Sequence, residues 1–156
     1  MNRREFLSTT AAVAAAASFP AIARARPAGR LRLGVIGTGM RGQVLLKELV
    51  RRDDVEVAAL CDIDKFMLDR ALKQVAEAGR PAPKVFTGSD QAWRDMLAEA
   101  RLDGVVIAMP WEWHAPMAIE AMKAKVPVGC EVVAGITLDD HWNVLRTQLA
   151  TGTPYM

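Results

Sequence analysis

The sequence has 156 residues, of which 51% are hydrophobic and 24% are charged. This composition is ordinary for a globular protein, and the length allows one domain with one core. The formal net charge of +2 falls to zero when a segment ending at Ala25 is removed, because that segment carries three arginines and one glutamate. No basic excess then remains, so we do not expect nucleic acid as a partner.

Residues 1–25 are predicted to be an export signal. Arg3 and Arg4 precede Glu-Phe-Leu, and an apolar, alanine-rich run follows at Ala11–Ala17. A basic start, a short apolar run and small residues before the cleavage site are typical of export signals, and the arginine pair resembles the twin-arginine type. An amphipathic helix or a membrane anchor is the alternative, but the run is short for a bilayer. We predict export to the periplasm or beyond, with the twin-arginine machinery as a partner and a linker at residues 26–30.

Strand-like and helix-like segments alternate from residue 31 onward. The strand-like runs are Leu31 to Ile36, Val55 to Cys61, Lys84 to Phe86, Gly104 to Ala108 and Val126 to Glu131. The helix-like runs are Met40 to Arg52, Lys65 to Ala78, Gln91 to Ala100, Ala115 to Ala124 and Leu138 to Ala150. Ser89-Asp90 and Thr137 are predicted N-caps, and Gly79 and Gly152 are predicted helix stops. Five β–α units in sequence predict an α/β fold, a doubly wound parallel sheet of the Rossmann type with strand order 3-2-1-4-5.

The end of the sequence resembles the start of another strand. Tyr155 and Met156 follow the last predicted helix after a short turn. We therefore expect the domain at residues 31–156 to be truncated at its C-terminal end. A second domain that binds substrate is expected to be absent from this chain.

The two cysteines, Cys61 and Cys130, are predicted to lie on strands separated by two others. At a spacing of ~4.8 Å per strand they are ~14 Å apart. A disulfide needs Cα atoms within about 7 Å of each other. Both are therefore predicted to be small buried residues rather than a disulfide pair.

The first strand leads into Gly37-Thr38-Gly39-Met40-Arg41-Gly42, a G-x-G-x-x-G pattern that opens a helix. A dinucleotide-binding loop requires this context of strand, loop and helix. Gly37 permits a tight turn, Gly39 lets the backbone approach a pyrophosphate, and Gly42 allows close packing of the helix on the strand. The free N–H groups at the helix N-terminus favour phosphate there. The loop therefore predicts dinucleotide binding.

Asp62 follows the second strand, 20 residues after Gly42, where a ribose-binding acid is expected. A carboxylate at this point accepts hydrogen bonds from the ribose hydroxyls and repels a 2′-phosphate, which favours NAD over NADP. Arg41, near the phosphates, acts against this preference. The alternative is that Asp62 caps the turn before the next helix, together with Asp64.

The stretch Pro110-Trp111-Glu112-Trp113-His114 follows the fourth strand and is predicted to be a loop. Ligands of a doubly wound sheet bind at the carboxyl ends of the strands, where the strand order reverses. The stretch is therefore expected beside the nicotinamide half of the site, where Trp111 or Trp113 can cover the ribose or ring. His114 is either a site residue or a residue at the helix start that bonds to the loop. It has no cysteine or carboxylate at ligand spacing, so no metal is predicted.

From Leu31 onward the sequence resembles the N-terminal half of the Gfo/Idh/MocA oxidoreductases. The resemblance rests on the glycine loop, on Cys61-Asp62, on the proline-to-histidine stretch and on Glu131 after the fifth strand. It implies a Rossmann domain that binds NAD. In ordinary members the fifth strand ends in Glu-Lys-Pro, whose lysine binds substrate and handles a proton during hydride transfer. This sequence has Glu131-Val132-Val133, which argues against a plain sugar dehydrogenase.

One branch of that family is more similar. The stretch from Pro110 to His114, with Gly129-Cys130-Glu131-Val132, resembles family 109 of the glycoside hydrolases, the α-N-acetylgalactosaminidase group. The resemblance implies NAD contacts by Met40, Arg41, Asp62, Trp111, Glu112, Trp113, His114, Glu131 and Val132. The catalytic tyrosine and histidine of this branch lie in the downstream domain, so no catalytic residue is predicted in this chain.

The resemblance also implies an unusual reaction. In this branch NAD accepts a hydride from C3 of the sugar, the aglycone leaves C1 by elimination, water adds, and the hydride returns. Paired carboxylates are then unnecessary, because the cofactor carries the difficult step. The implied activity is an NAD-dependent glycosidase for a small carbohydrate of the α-N-acetylgalactosaminide type. The alternatives are a sugar or cyclitol oxidoreductase, and a non-catalytic nucleotide-binding fragment or a subunit that acts only in a homo-oligomer.

Overall fold

The computed structural model describes residues 29–156, so the predicted signal at residues 1–25 and most of the linker lie outside the described part. The strands of that part are β1 (Leu31–Ile36), β2 (Val55–Cys61), β3 (Lys84–Phe86), β4 (Gly104–Ile107) and β5 (Val128–Cys130). Its helices are α1 (Met40–Val50), α2 (Lys65–Glu77), α3 (Ala92–Glu99), α4 (Trp111–Lys123) and α5 (Leu138–Thr151). Over residues 29–156, no helix has the length and apolarity needed to cross a membrane.

The strands form one parallel sheet in the order β3-β2-β1-β4-β5, which confirms the predicted topology. The strand ends are in register at the carboxyl edge. The last residues of the strands are paired along the sheet in the order Phe86, Cys61, Ile36, Ile107 and Cys130. The strand order reverses between β1 and β4, so the segments that leave these two strands diverge over a crevice at this edge.

Helices cover both faces of the sheet. On one face, Leu46 of α1 and Leu68 of α2 pack with Val35 and Leu60 of the sheet in one apolar cluster. The other face is covered by α3, α4 and α5, whose buried side chains include Trp93, Met96, Met117, Met122 and Val144. Each fully buried side chain of this size contributes roughly 1.5–3 kcal/mol. The apolar residues recur at helical spacing on the faces that the sheet buries, which is why these segments form helices.

Most of the predicted helix ends are confirmed, and one is wrong. Thr137 caps α5 in a capping box with Asp140, and Gly152 ends that helix in the left-handed conformation, with φ of 65°. Gly79 follows α2 with φ of 66°. The prediction of Ser89-Asp90 as the cap of α3 is wrong, because Gln91 is the N-cap. The Ser89 hydroxyl instead accepts the Gln91 N–H at 3.0 Å and closes the turn before the helix.

The last strand is shorter than predicted, and the Tyr155 segment pairs with it. The Val126 N–H donates to the Ala121 carbonyl at 2.9 Å, so Val126 belongs to the turn that leaves α4. Tyr155 forms a parallel bridge with Val128, and the Met156 N–H donates to the Val128 carbonyl at 2.9 Å. The segment predicted to start another strand therefore contacts the β5 edge through an isolated bridge, and the additional strand stays a prediction.

Both cysteines are free, as predicted. Cys61 ends β2 and is buried, whereas Cys130 ends β5 and is only half-buried. The prediction that both are buried is therefore wrong for Cys130, which lies near the edge of the sheet beside the Tyr155 segment.

Candidate nucleotide-binding site

The glycine loop between β1 and α1 is shaped by two close approaches. Gly37 has φ of +88°, and a Cβ atom there would lie 2.5 Å from the carbonyl oxygen of Ala108 after β4. A Cβ atom on Gly42 would overlap the carbonyl oxygen of Gly37, so the first turn of α1 lies directly on the loop. Neither position tolerates a side chain, because the obstructing atoms belong to the backbone.

The middle glycine faces open space. A Cβ atom on Gly39 would meet nothing within 4 Å, and Gly39 is the N-cap of α1 without any side-chain cap. The N–H groups of the first helical turn therefore have no side-chain acceptor, and the dipole of α1 favours negative charge beside them. Met40, the next residue, has an exposed side chain. This open cradle fits a pyrophosphate, and a side chain on Gly39 would occupy it.

Asp62 connects the glycine loop to the turn after β2. Its Oδ2 atom accepts the backbone N–H of Thr38 at 2.6 Å and the Thr38 hydroxyl at 2.9 Å. Its Oδ1 atom accepts the backbone N–H of Asp64 at 2.9 Å. Asp64, not Asp62, caps α2 by accepting from Phe66 and Met67. The turn-capping alternative for Asp62 is thus present in the structure, and the Oδ1 atom retains capacity for one further donor.

The stretch after β4 is helical, so its prediction as a loop is wrong. The helix α4 begins at Trp111 rather than at Ala115, with Pro110 as its N-cap at φ of −55°. Proline is suited to this place because its fixed φ matches a helix start and its missing N–H costs no helical bond there. As a result, the side chains of this stretch point in different directions. Trp111 and Glu112 are exposed, Trp113 packs against the core, and His114 is buried.

His114 is held by two backbone carbonyl groups. Its Nδ1 atom lies 2.7 Å from the Val133 oxygen, and its Nε2 atom lies 2.7 Å from the Met109 oxygen. Only 1% of the residue is exposed, so the ring has no atom free to touch a ligand. Of the two alternatives, the structure therefore favours the residue that bonds to neighbouring segments. Within residues 29–156, no three His, Cys, Asp or Glu side chains are grouped to hold a metal ion.

Arg41 and Glu131 form an ion pair over the crevice. The Nε and Nη2 atoms of Arg41 both lie 2.7 Å from Oε1 of Glu131. The arginine lowers the pKa of the Glu131 carboxyl, mainly through this hydrogen bond, and the pair in turn raises the pKa of Arg41. Val132, the neighbour of Glu131, is 81% exposed. The structure thus brings four residues of the predicted site, Met40, Arg41, Glu131 and Val132, to the glycine-loop side of the strand ends.

A cleft opens at the carboxyl edge on the other side of Asp62. Its lining includes Asp62, Ile63, Asp90, Trp93, Trp113 and Met117. Trp113 therefore lies in the same cleft as Asp62. Asp90 and Trp93 are not among the predicted site residues, because the sequence pattern marks the β3–α3 connection only as a helix start. The rule that loops at the carboxyl edge line the site would have included them.

Comparison with known proteins agrees with this geometry. Residues 31–143 match the Gfo/Idh/MocA oxidoreductase family, described as having an NAD-binding Rossmann fold. Residues 1–20 match the signal sequence of the twin-arginine translocation pathway. The signal is therefore one for twin-arginine export, as predicted.

Similar proteins include a glycosyl hydrolase family 109 protein of Stenotrophomonas maltophilia, 64% identical over 162 aligned positions that cover 100% of this chain and 35% of the relative. An alpha-N-acetylgalactosaminidase of Tannerella forsythia is 43% identical over 82% of this chain and 28% of its own length. The myo-inositol 2-dehydrogenase structure from Lactobacillus plantarum matches with a TM-score of 0.69 and 25% identity, over 81% of this chain and 35% of that chain. The chain thus spans about a third of the length of these relatives. Taken with the glycine cradle and the 3-2-1-4-5 sheet, the match over residues 31–143 establishes that the chain belongs to the Gfo/Idh/MocA oxidoreductase family and carries its NAD-binding Rossmann domain.

Proposed function

We propose that this chain is the NAD-binding part of an exported glycosidase that uses NAD without consuming it and acts on α-N-acetylgalactosaminide-like substrates. The observation that carries the proposal is the similarity, over the whole chain, to a family 109 glycosyl hydrolase. The exposed valine after Glu131 supports it. An apolar side chain at this place cannot hold or transfer a proton as the lysine of the related sugar dehydrogenases does.

The adenosine half of NAD is assigned to the cleft beside Asp62. The carboxylate is held by Thr38 and Asp64, and its Oδ1 atom has acceptor capacity left for a ribose hydroxyl. Trp113 and Ile63 supply apolar lining for a base. Asp90 adds a second acid to the same lining. Two carboxylates would repel a 2′-phosphate, which supports the preference for NAD over NADP.

The pyrophosphate and the nicotinamide half are assigned to the glycine loop and the ends of β4 and β5. Gly37, Gly39 and Gly42 shape the cradle for the pyrophosphate. The remaining contacts are assigned to the side chains or backbone of Met40, Arg41, Trp111, Glu112, Glu131 and Val132. In the bound state NAD supplies a hydride acceptor that is regenerated in each turnover. The residues of this chain bind and orient it. The substrate contacts are assigned to the part of the longer relatives that this chain does not cover.

The test uses the protein made from its complete reading frame, with whatever nucleotide it retains. An aryl α-N-acetylgalactosaminide is added, and release of the aglycone and absorbance of NADH are followed together. Aglycone release without net NADH and without added NAD supports the proposal. The matched control carries Gly39→Val, whose side chain would occupy the open cradle and should abolish release. Aglycone release that persists in this variant would contradict the role of NAD.

A sugar or cyclitol oxidoreductase is the second candidate. The fold similarity to a myo-inositol 2-dehydrogenase at 25% identity favours it. The same assay separates the two functions, because a dehydrogenase accumulates NADH from a sugar or cyclitol without releasing an aglycone. Absence of both signals would favour the third alternative, a nucleotide-binding fragment or a subunit that acts only in a homo-oligomer.

We also infer delivery to the periplasm or beyond, with residues 1–25 removed and NAD loaded before export. The twin-arginine route carries folded proteins, so a cofactor bound in the cytoplasm can travel with the domain. Replacing Arg3 and Arg4 by lysine should leave precursor in the cytoplasm, as measured by fractionation and immunoblotting. Normal processing of the double variant would contradict this inference.

A further inference from the structure

The imidazole of His114 joins two segments that leave neighbouring strands. The Met109 carbonyl follows β4, and the Val133 carbonyl belongs to the segment after β5. Each lies 2.7 Å from a ring nitrogen, which is a short hydrogen-bond distance. With 1% of the residue exposed, water does not replace either contact.

The protonation state of the ring follows from these two partners. A backbone carbonyl oxygen accepts hydrogen bonds and cannot donate them, and a neutral imidazole carries one N–H only. In the neutral ring, one of the two contacts would set a nitrogen lone pair against a carbonyl oxygen at 2.7 Å. The imidazolium carries two N–H groups and satisfies both carbonyls.

We propose that His114 is held as an imidazolium and acts as a positioning residue, which fixes the exits of β4 and β5 relative to each other at the nicotinamide half of the site. The link to the cofactor rests on the proposed function, whereas the link between the two segments does not. Glu131 lies two residues before Val133 and pairs with Arg41 of the glycine loop. Fixing Val133 therefore also fixes the carboxylate that holds Arg41.

The charges around the ring are compatible with a buried cation. Glu131 is a described acid that the ring acts on, since the pKa of Glu131 is lowered mainly by the Arg41 hydrogen bond and in smaller part by the charge of His114. The helix of His114 contributes Glu112, and the start of the neighbouring α5 contributes Asp139 and Asp140. The positive charge of Arg41 and the positive end of the α4 dipole disfavour a cation at this place. A buried charge that is fully hydrogen-bonded and close to an opposite charge avoids most of the cost of burial.

The first test detects the ring protons in the unaltered, ¹⁵N-labelled chain by NMR. His114 should show two slowly exchanging ring N–H signals, and His141→Gln identifies them by leaving them unchanged, because His141 is exposed. A single ring N–H signal would overturn the proposal. This result does not depend on NAD, so it stands apart from a failure of the proposed function.

The second test measures NAD affinity by calorimetry. His114→Gln can keep only one of the two hydrogen bonds and should bind NAD about tenfold more weakly than the unaltered protein, the scale of one hydrogen bond to a charged group. His141→Gln should bind NAD as the unaltered protein does. Equal NAD affinity in His114→Gln and in the unaltered protein would overturn the positioning role. If the unaltered protein binds no NAD, the proposed function fails, and the NMR result alone decides the state of His114.

Discussion

Thr38 donates two hydrogen bonds to one oxygen of Asp62, from its backbone N–H at 2.6 Å and from its hydroxyl at 2.9 Å. Thr38 lies between Gly37 and Gly39 and is fully buried, while Asp62 is partly exposed at the cleft. The carboxylate is therefore fixed before a ligand arrives, which reduces the ordering cost of binding. The turn-capping role and the ribose-binding role of Asp62 are compatible, because different lone pairs serve them.

Asp62→Ala should weaken NAD binding by ~1–3 kcal/mol, the scale of losing hydrogen bonds to a charged group. The measurement is calorimetric titration of NAD. The matched control is Asp64→Ala, which removes the neighbouring cap of α2 and should lower the thermal stability while leaving NAD affinity unchanged. Equal NAD affinity in Asp62→Ala and the unaltered protein would contradict the assignment.

The three glycines of the loop should respond differently to alanine. Gly42→Ala should destabilise the fold, because the new methyl group overlaps the Gly37 carbonyl. Gly39→Ala adds a methyl group that meets nothing within 4 Å, so its melting temperature should change little. It should still bind NAD more weakly, because the methyl group lies where the pyrophosphate approaches. Thermal unfolding and NAD titration of both variants separate folding from binding, and full NAD affinity in Gly39→Ala would disprove the cradle.

The sequence alone was sufficient for the sheet. Regular alternation of apolar strands with amphipathic helices leaves few topologies when crossovers are right-handed, and the observed order is the leading one. The glycine loop could also be predicted from the sequence, because the G-x-G-x-x-G pattern requires glycine at particular positions. In the structure, backbone contacts leave no room for side chains at Gly37 and Gly42.

The side chains after β4 could not be placed from the sequence. Two aromatic residues between prolines fit a loop as well as a first helical turn, and one turn of helix sends Trp111 to solvent and Trp113 to the cleft. The role of His114 depends on the Val133 carbonyl, 19 residues away along the chain. No local pattern encodes a contact of that kind, because it arises only when β4 and β5 lie side by side.

Both thiols should be unreactive in the native protein. Burial raises the pKa of Cys61 to about 12, with a further contribution from the charges of Asp62 and Asp95. Burial also raises the pKa of Cys130 to about 11, although a hydrogen bond with Tyr155 acts in the opposite direction. At neutral pH the reactive thiolate is therefore scarce in the folded chain.

A thiol-specific reagent tests this expectation. It should react slowly with the folded chain and label two thiols after unfolding in guanidinium. Cys61→Ala isolates Cys130, which is half-buried and should be the faster of the two to react. Rapid native labelling of Cys61, or a disulfide found by mass spectrometry under non-reducing conditions, would contradict the structure.

Arg41→Gln should raise the pKa of Glu131, because the arginine hydrogen bond is the main cause of its lowered value. A carboxyl with a lowered pKa in the folded state contributes stability that is complete above its unfolded pKa and is lost as the pH falls through the lowered value. The contribution of the ion pair should therefore disappear only in acid, and added salt should weaken it, because the Arg41 side chain is 60% exposed. Titration of the Glu131 carboxyl carbon by NMR gives its midpoint directly.

The control for this prediction is Arg51→Gln. Arg51 lies just after the same helix as Arg41 and pairs with Glu48 rather than with Glu131. The two variants should differ, with the Glu131 midpoint shifted upward only in Arg41→Gln; an unshifted midpoint there would mean that the ion pair does not form in solution.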